Sequence, residues 1–175
     1  MFTNLRLLLE IAVSAGLATG LSLLTLFRMP QGGSVTLVML PLLYLSLRHG
    51  VAVGCGAGFL VGVAQYLVGG FFVHPIQLVM DYPLAFTVVA LGGLARKIEY
   101  AYISAIIAVV VGGTARFGVH FSSGIVFFGH YAPKDQPVWL YSLIYNAAYL
   151  LPEMLFCAIL LPPVLRRMRS AIDGG

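Results

Sequence analysis

Val51-Ala-Val-Gly-Cys-Gly-Ala-Gly-Phe-Leu-Val-Gly-Val-Ala-Gln-Tyr-Leu-Val-Gly-Gly70 carries no charge over its whole length. A bilayer core of about 30 Å needs roughly 20 predominantly apolar residues in helical form, so this stretch reads as a membrane span. Gly54, Gly56, Gly58 and Gly62 would weaken a helix in water. In lipid they are tolerated, because small residues let neighbouring helices approach closely.

The same character recurs outward from this span. Upstream, an apolar run from Leu7 to Phe27 is broken by Arg28-Met-Pro-Gln-Gly-Gly-Ser34 and resumes from Val35 to Leu47, ending at Arg48-His-Gly50. The second run is short for the bilayer, so part of the glycine loop is expected at membrane depth. Downstream, an aromatic turn (Phe71 to Pro75) leads to a fourth span from about Ile76 to Leu94, which holds Asp81 near its beginning. Ala95 to Glu99 is a polar connector. The fifth span is expected from Tyr100 to about Val119, with an irregular stretch from His120 to Gln136. The sixth runs from near Val138 to Leu165, closed by Arg166-Arg-Met-Arg169. Arg6 before the first run raises the possibility of a signal peptide, but Glu10 interrupts the apolar stretch and no clear cleavage site follows. The expected fold is all-α: a polytopic membrane protein of six transmembrane helices, forming one domain over residues 1–175.

Composition agrees with that reading. Hydrophobic residues make up 60% of the chain and charged residues 9%, against about 25% charged in soluble domains. Six spans use nearly all the length, leaving no room for a nucleotide-binding domain. The net charge of +4 does not point to nucleic acid, because the basic residues are scattered and report topology instead. Cys55 and Cys157 sit inside apolar runs without metal-ligand spacing and read as small core residues. Neither a metal site nor a cofactor is expected.

Orientation follows from the excess of Lys and Arg on cytoplasmic loops. With six spans, Arg6, Arg48, Arg96, Lys97, Arg166, Arg167 and Arg169 fall on one side, and only Arg28, Lys134 and the intramembrane Arg116 lie elsewhere. Both termini are therefore expected in the cytoplasm. The turns rich in aromatic residues and histidine (Phe71 to His74, Phe127 to Tyr131, Trp139) then face outward.

A charged side chain at membrane depth is costly and asks for a reason. Four qualify: Glu10, Asp81, Arg116 and Glu153. Glu10 is near the cytoplasmic end of the first span, within reach of Arg6, and suggests a structural role. Glu153 follows Pro152, which removes a helix donor and frees a carbonyl, so capping or bridging between helices is the favoured role. Asp81 stands beside Tyr82, with Gln77 one turn earlier on the same face. It reads either as the counter-ion of a cationic ligand or as half of an ion pair with Arg116 joining the fourth and fifth spans. Arg116, His120 and Gly124 are spaced four apart and share a face if the fifth helix continues past Val119. Phe127, Phe128, His130 and Tyr131 follow. In the sixth span Trp139, Tyr141, Tyr145, Asn146 and Tyr149 cluster. An interfacial aromatic belt accounts for Trp139 but not for Asn146, a buried amide that must find partners. Flat rings stack on aromatic faces, cations are drawn to them, and amides or carboxylates pair with heterocycle edges. The ligand expected is small, aromatic, nitrogenous and cationic. In the first span Ala12, Gly16 and Gly20 recur every four residues. That small-residue stripe serves either internal packing or the docking of a partner subunit.

Several segments in order carry a resemblance: Pro30-Gln-Gly-Gly-Ser34, His74-Pro-Ile-Gln77, Asp81-Tyr-Pro-Leu-Ala-Phe86, Arg116 through His120 to Phe128-Gly129, and Tyr141-Ser-Leu-Ile-Tyr-Asn146. Together they make the chain resemble the substrate-binding S-components of energy-coupling factor (ECF) vitamin transporters, specifically the thiamine-specific family. The resemblance implies six helices and an outward-facing thiamine pocket built from the first loop and helices 4 to 6. Its partners would be a transmembrane T-component and two cytoplasmic ATPases. By motif position it assigns Asp81, Tyr82, Arg116, His120, Gly124, Phe128, Tyr141 and Asn146 to the pocket, with Gln77 beside Asp81. It gives the Ala12, Gly16, Gly20 stripe to the T-component. Phe128 stands where some relatives have tryptophan. Thr36 and Val38 lie in a segment that is often acidic, which leaves Asp81 as the sole carboxylate expected to face the ligand.

The expected function is therefore non-enzymatic: high-affinity capture of thiamine in the cell membrane. The chain contains no G-x-x-x-x-G-K-[ST] phosphate loop, so ATP hydrolysis would fall to partners. One rival is an intramembrane hydrolase using Asp81 and His120, but the sequence has no Gly-x-Ser-x-Gly elbow and no His-Glu-x-x-His. Another is a self-sufficient proton-coupled carrier with Asp81 or Glu153 as relay. An S-component for a related heterocyclic vitamin is a third.

Overall fold

The structure is a computed structural model. It describes residues 2–30 and 33–173, with side chains over 5–30 and 33–168. Gln31 and Gly32 of the first loop, and the side chain of Arg169, lie outside the described residues.

Six helices follow one another: α1 (Phe2–Leu23), α2 (Met39–His49), α3 (Val51–Gly69), α4 (Pro75–Lys97), α5 (Ala101–Phe127) and α6 (Val138–Asp173). Between α1 and α2, strands β1 (Phe27–Arg28) and β2 (Ser34–Val35) pair antiparallel, Phe27 opposite Val35. Among the described residues five helices are long and apolar enough to cross a membrane. The exception is α2, whose 11 residues rise only about 16 Å, half of a bilayer core. Extended chain completes that passage: Val35 packs with Tyr149 and Leu150 of α6, and Val38 is buried in the main core.

The fifth helix departs from its expected end. Instead of stopping near Val119 and giving way to irregular chain, α5 runs to Phe127. No proline interrupts 117–127, and Phe121, Ile125 and Val126 prolong the apolar pattern. Ser122 returns its hydroxyl to the Gly118 carbonyl at 2.8 Å, satisfying itself within the helix.

α4 has a different irregularity. His74 caps its start by accepting from the Ile76 amide at 3.1 Å, with Pro75 in the first turn. Pro83 then sits inside the helix, where it lacks an N–H and its ring crowds the carbonyl four residues earlier. The helix widens into a π-turn over Met80–Leu84, with the Ala85 amide reaching back five residues to the Met80 carbonyl. Val89–Lys97 tightens into 3₁₀ form. Gly62 of α3 permits close approach at this widened turn, because a Cβ there would lie 2.5 Å from the Tyr82 carbonyl oxygen and 2.6 Å from Pro83 Cα.

α5 packs most extensively on α6 and α4, α3 lies against α4, and α1 rests at the margin on α2 and α3. The core gathers Leu42, Leu43, Val61, Val89, Ala105, Val109 and Leu161, with Cys157 fully buried among them and Cys55 half-buried. Outward faces are apolar: Leu8 and Val13 on α1, Leu67 on α3, Leu155 and Ile159 on α6 are all more than half exposed. Such faces suit lipid.

Arg6, Arg48 and Arg96 converge on one end. Arg96 donates to the His49 carbonyl at 3.2 Å, and Arg6, Arg48 and Met168 border one groove. Glu10 anchors this end, meeting Arg6 at 3.3 Å, Arg48 at 3.0 Å and His49 at 2.7 Å. The structural reading of Glu10 extends from Arg6 alone to three partners.

Candidate functional site

At the opposite end, a cavity of about 800 Å³, counted out to its open mouth, lies among the β1–β2 loop, α3, α4, α5 and α6. All nine residues singled out from sequence border it: Gln77, Asp81 and Tyr82 from α4, Arg116, His120 and Gly124 from α5, Phe128 just beyond α5, and Tyr141 and Asn146 from α6. The α-helical continuation past Val119 is what brings His120, Gly124 and Phe128 into the wall.

The acid is built from two helices. Gln77, almost wholly buried, donates to Asp81 Oδ2 at 2.7 Å and to the Phe71 carbonyl at 3.1 Å, while its oxygen accepts from the Val73 amide at 3.0 Å. This amide is committed to the protein: it fixes the carboxylate and ties down the aromatic turn. Asp81 Oδ1 faces His120 Nδ1 at 3.2 Å. Tyr82 turns its hydroxyl onto the Phe71 backbone, accepting from the amide and facing the carbonyl at 3.4 Å. Among the described residues Asp81 is the only carboxylate lining the cavity.

The suggested ion pair between Asp81 and Arg116 is replaced by another. Arg116 Nη1 meets Glu153 Oε1 at 3.1 Å, and its guanidinium lies 4.5 Å from the centre of the Phe86 ring. Glu153 also accepts from the Met39 amide at the start of α2, at 3.4 Å. It thus bridges α2, α5 and α6, the role favoured for it from sequence. Asn146 finds its partners within the protein too. Its amide nitrogen donates to the Ser142 carbonyl at 2.8 Å and to the His120 carbonyl at 3.4 Å, and its oxygen accepts from Tyr149 Oη at 2.8 Å. A Cβ at Gly124 would collide with Ser142 Oγ and come within 3.3 Å of Asn146 Nδ2, so glycine lets α5 and α6 close at this point.

Aromatic rings supply the remaining walls. Phe71 and Phe128 are 6.1 Å apart, Tyr141 and Tyr145 5.9 Å, and Tyr145 meets Tyr149 edge-on at 6.0 Å. Two cavity residues carry buried polar atoms with no hydrogen-bond partner among the described residues, Arg116 Nε and His120 Nε2. An unpaired buried polar atom is costly, so both favour a polar guest.

Sequence reasoning missed Gln65, Phe86 and Ser142 as lining residues. Gln65 is the one amide in an otherwise apolar span, Phe86 lies one turn beyond Tyr82, and Ser142 one turn before Asn146. Each signal was present. Ala12, Gly16 and Gly20 lie away from the cavity on the exposed face of α1, with nothing within 4 Å of a Cβ at either glycine. The inward face is instead Ser14, Ala15 and Ala18, so the stripe is not an internal packing seam.

The chain and its fold have known relatives. The family model described as Thiamine transporter protein (Thia_YuaJ) matches residues 8–172. The thiamine transporter ThiT of Bacillus subtilis (strain 168) is 40% identical over 167 residues, covering 88% of this chain and 87% of that protein. ThiT of Lacticaseibacillus paracasei is 32% identical over 157 residues, 82% and 78% of the two chains. The solved structure of ThiT from Listeria monocytogenes superposes with a TM-score of 0.85 at 28% identity, over 96% of this chain and 97% of that one. With five helices able to cross a membrane, a fold shared with ThiT and a match over nearly its whole length, this multi-pass cell-membrane protein belongs to the thiamine transporter family.

Proposed function

We propose that this chain is the high-affinity thiamine-binding subunit of an ECF-type transporter, holding its ligand in the cavity of α3 to α6 and the first loop. The observation that carries the reading is a single lining carboxylate, Asp81, set among the rings of Phe71, Tyr82, Phe128 and Tyr141. Thiamine joins a cationic thiazolium to an aminopyrimidine. Asp81 lies opposite the cation, the aromatic faces stack on the rings, and His120 Nε2, buried without a partner, pairs with a polar edge. Asn146 Oδ1 keeps a second lone pair for the same purpose. Gln77 acts through Asp81, which it orients. Gly124 lets α5 and α6 approach closely beside Ser142 and Asn146.

The role is binding, not catalysis, and the relatives that match are named transporters. Energy comes from two ATPase subunits reached through a T-component. The exposed Ala12, Gly16, Gly20 face of α1 is the surface that suits that partner, since small residues permit close helix approach. Orientation follows the clustered basic end, which faces the cytoplasm, so the cavity opens outward. Native mass spectrometry of the purified protein tests the ligand. A bound species with the mass of thiamine supports the reading, and a consistently different heterocycle contradicts it. Liposomes containing only this chain separate it from a proton-coupled carrier: thiamine uptake driven by a pH gradient would contradict the need for partners.

A further inference from the structure

Glu153 is fully buried and does not line the cavity, yet it governs the charge that the cavity presents. The two charged residues among the described lining are Asp81 and Arg116. Left to themselves they would make a neutral wall, with a guanidinium available to any anion. Glu153 Oε1 instead holds Arg116 Nη1 at 3.1 Å, with 6% and 0% of the two side chains exposed, and the Phe86 ring lies against the guanidinium at 4.5 Å. The carboxylate is itself held from a third helix by the Met39 amide. Arg116 is always protonated, and its charge is paired inside the protein through Nη1, with Nε left without a hydrogen-bond partner among the described residues. In formal charge Asp81, Arg116 and Glu153 sum to one negative charge.

Resting on the thiamine reading above, we infer that Glu153 is a specificity-determining residue that makes the site prefer the cationic, unphosphorylated ligand over its phosphate ester. A phosphate entering this cavity meets a net negative wall and a cation already paired, and interactions between charges in a poorly hydrated site are strong. Glu153 touches no ligand in this account. It acts through Arg116.

The test is a pair of titrations, with thiamine and with thiamine monophosphate, on the detergent-purified wild type, Glu153→Gln and Glu153→Asp. The readout is the ratio of the two dissociation constants, which a loss of stability alone would not move. Glu153→Gln frees the guanidinium and should narrow the preference for thiamine by about tenfold. Glu153→Asp keeps the charge and should retain most of it. An unchanged ratio in Glu153→Gln, whatever the separate affinities, overturns the inference. If that variant does not fold, Arg116→Gln decides: removing the cation while the carboxylate stays should widen the preference, and an unchanged or narrower ratio overturns it. Wild-type protein that binds thiamine with an insensitive ratio sinks this inference alone. Wild-type protein that binds neither molecule sinks the thiamine reading with it.

Discussion

His120 Nδ1 lies 3.2 Å from Asp81 Oδ1, so a carboxylate of α4 and an imidazole of α5 meet at the cavity wall. The contact fixes the acid from the side opposite Gln77, which donates to Oδ2 at 2.7 Å. Asp81 is held on both oxygens and still borders the cavity.

Replacing Asp81 with Asn preserves the shape and removes the charge. Thiamine affinity should fall by about 2–5 kcal/mol, as for other buried charge pairs that lose one partner. Calorimetric titration checks this, with size-exclusion chromatography confirming that the variant remains folded. Unchanged affinity would rule out the counter-ion role.

Gly62→Ala tests the packing that presents Asp81 and Tyr82. The new methyl group would press on the Tyr82 carbonyl and Pro83, backbone atoms that cannot rotate away. A loss of about 1–3 kcal/mol in stability is expected, seen as a lower melting temperature. Gly56→Ala is the control on the same helix, because its Cβ meets nothing within 4 Å, and it should melt like the wild type.

Gly16→Leu or Gly20→Leu should separate binding from transport. A Cβ at either position meets nothing within 4 Å, so melting temperature and thiamine affinity should stay at wild-type values. Uptake by cells that express the partner subunits should fall, because a bulky side chain blocks close helix approach. Wild-type uptake in these variants would remove the stripe from the docking surface.

Topology can be read by labelling. A cysteine in the Arg96 to Glu99 connector should react with a membrane-impermeant maleimide only from the cytoplasmic side, and one beside Lys134 only from outside. The reverse pattern would place the cavity on the inner face.

Much of the fold was legible because lipid imposes a simple rule: long uncharged runs must become helices. Val51–Gly69 is the plainest case. α2 was harder, since 11 residues cannot cross alone and the extended chain before it borrows its burial from Tyr149 and Leu150. The end of α5 was misplaced because His120, Ser122, Ser123 and Gly124 look like loop residues. Instead His120 meets Asp81 of α4, Ser122 bonds back to the Gly118 carbonyl within the helix, and the missing side chain of Gly124 makes room for Ser142 of α6. The nine candidate residues were legible as unusual polar or aromatic groups in apolar helices, and all of them reach one cavity. Which acid pairs with which base was not. Asp81 and Glu153 both lie within reach of α5 by sequence, and only the packing of α5 against α6 gives Arg116 to Glu153, whose carboxylate also accepts from the Met39 amide of α2. The exposed side of α1 was likewise undecidable, because two small-residue faces lie side by side on that helix.

The central claim is that the cavity binds thiamine, and titrating detergent-purified wild-type protein with thiamine in a calorimeter tests it most directly. One molecule should bind per chain, saturably and without any partner subunit present. Folded, monodisperse protein that shows no saturable binding of thiamine would contradict it.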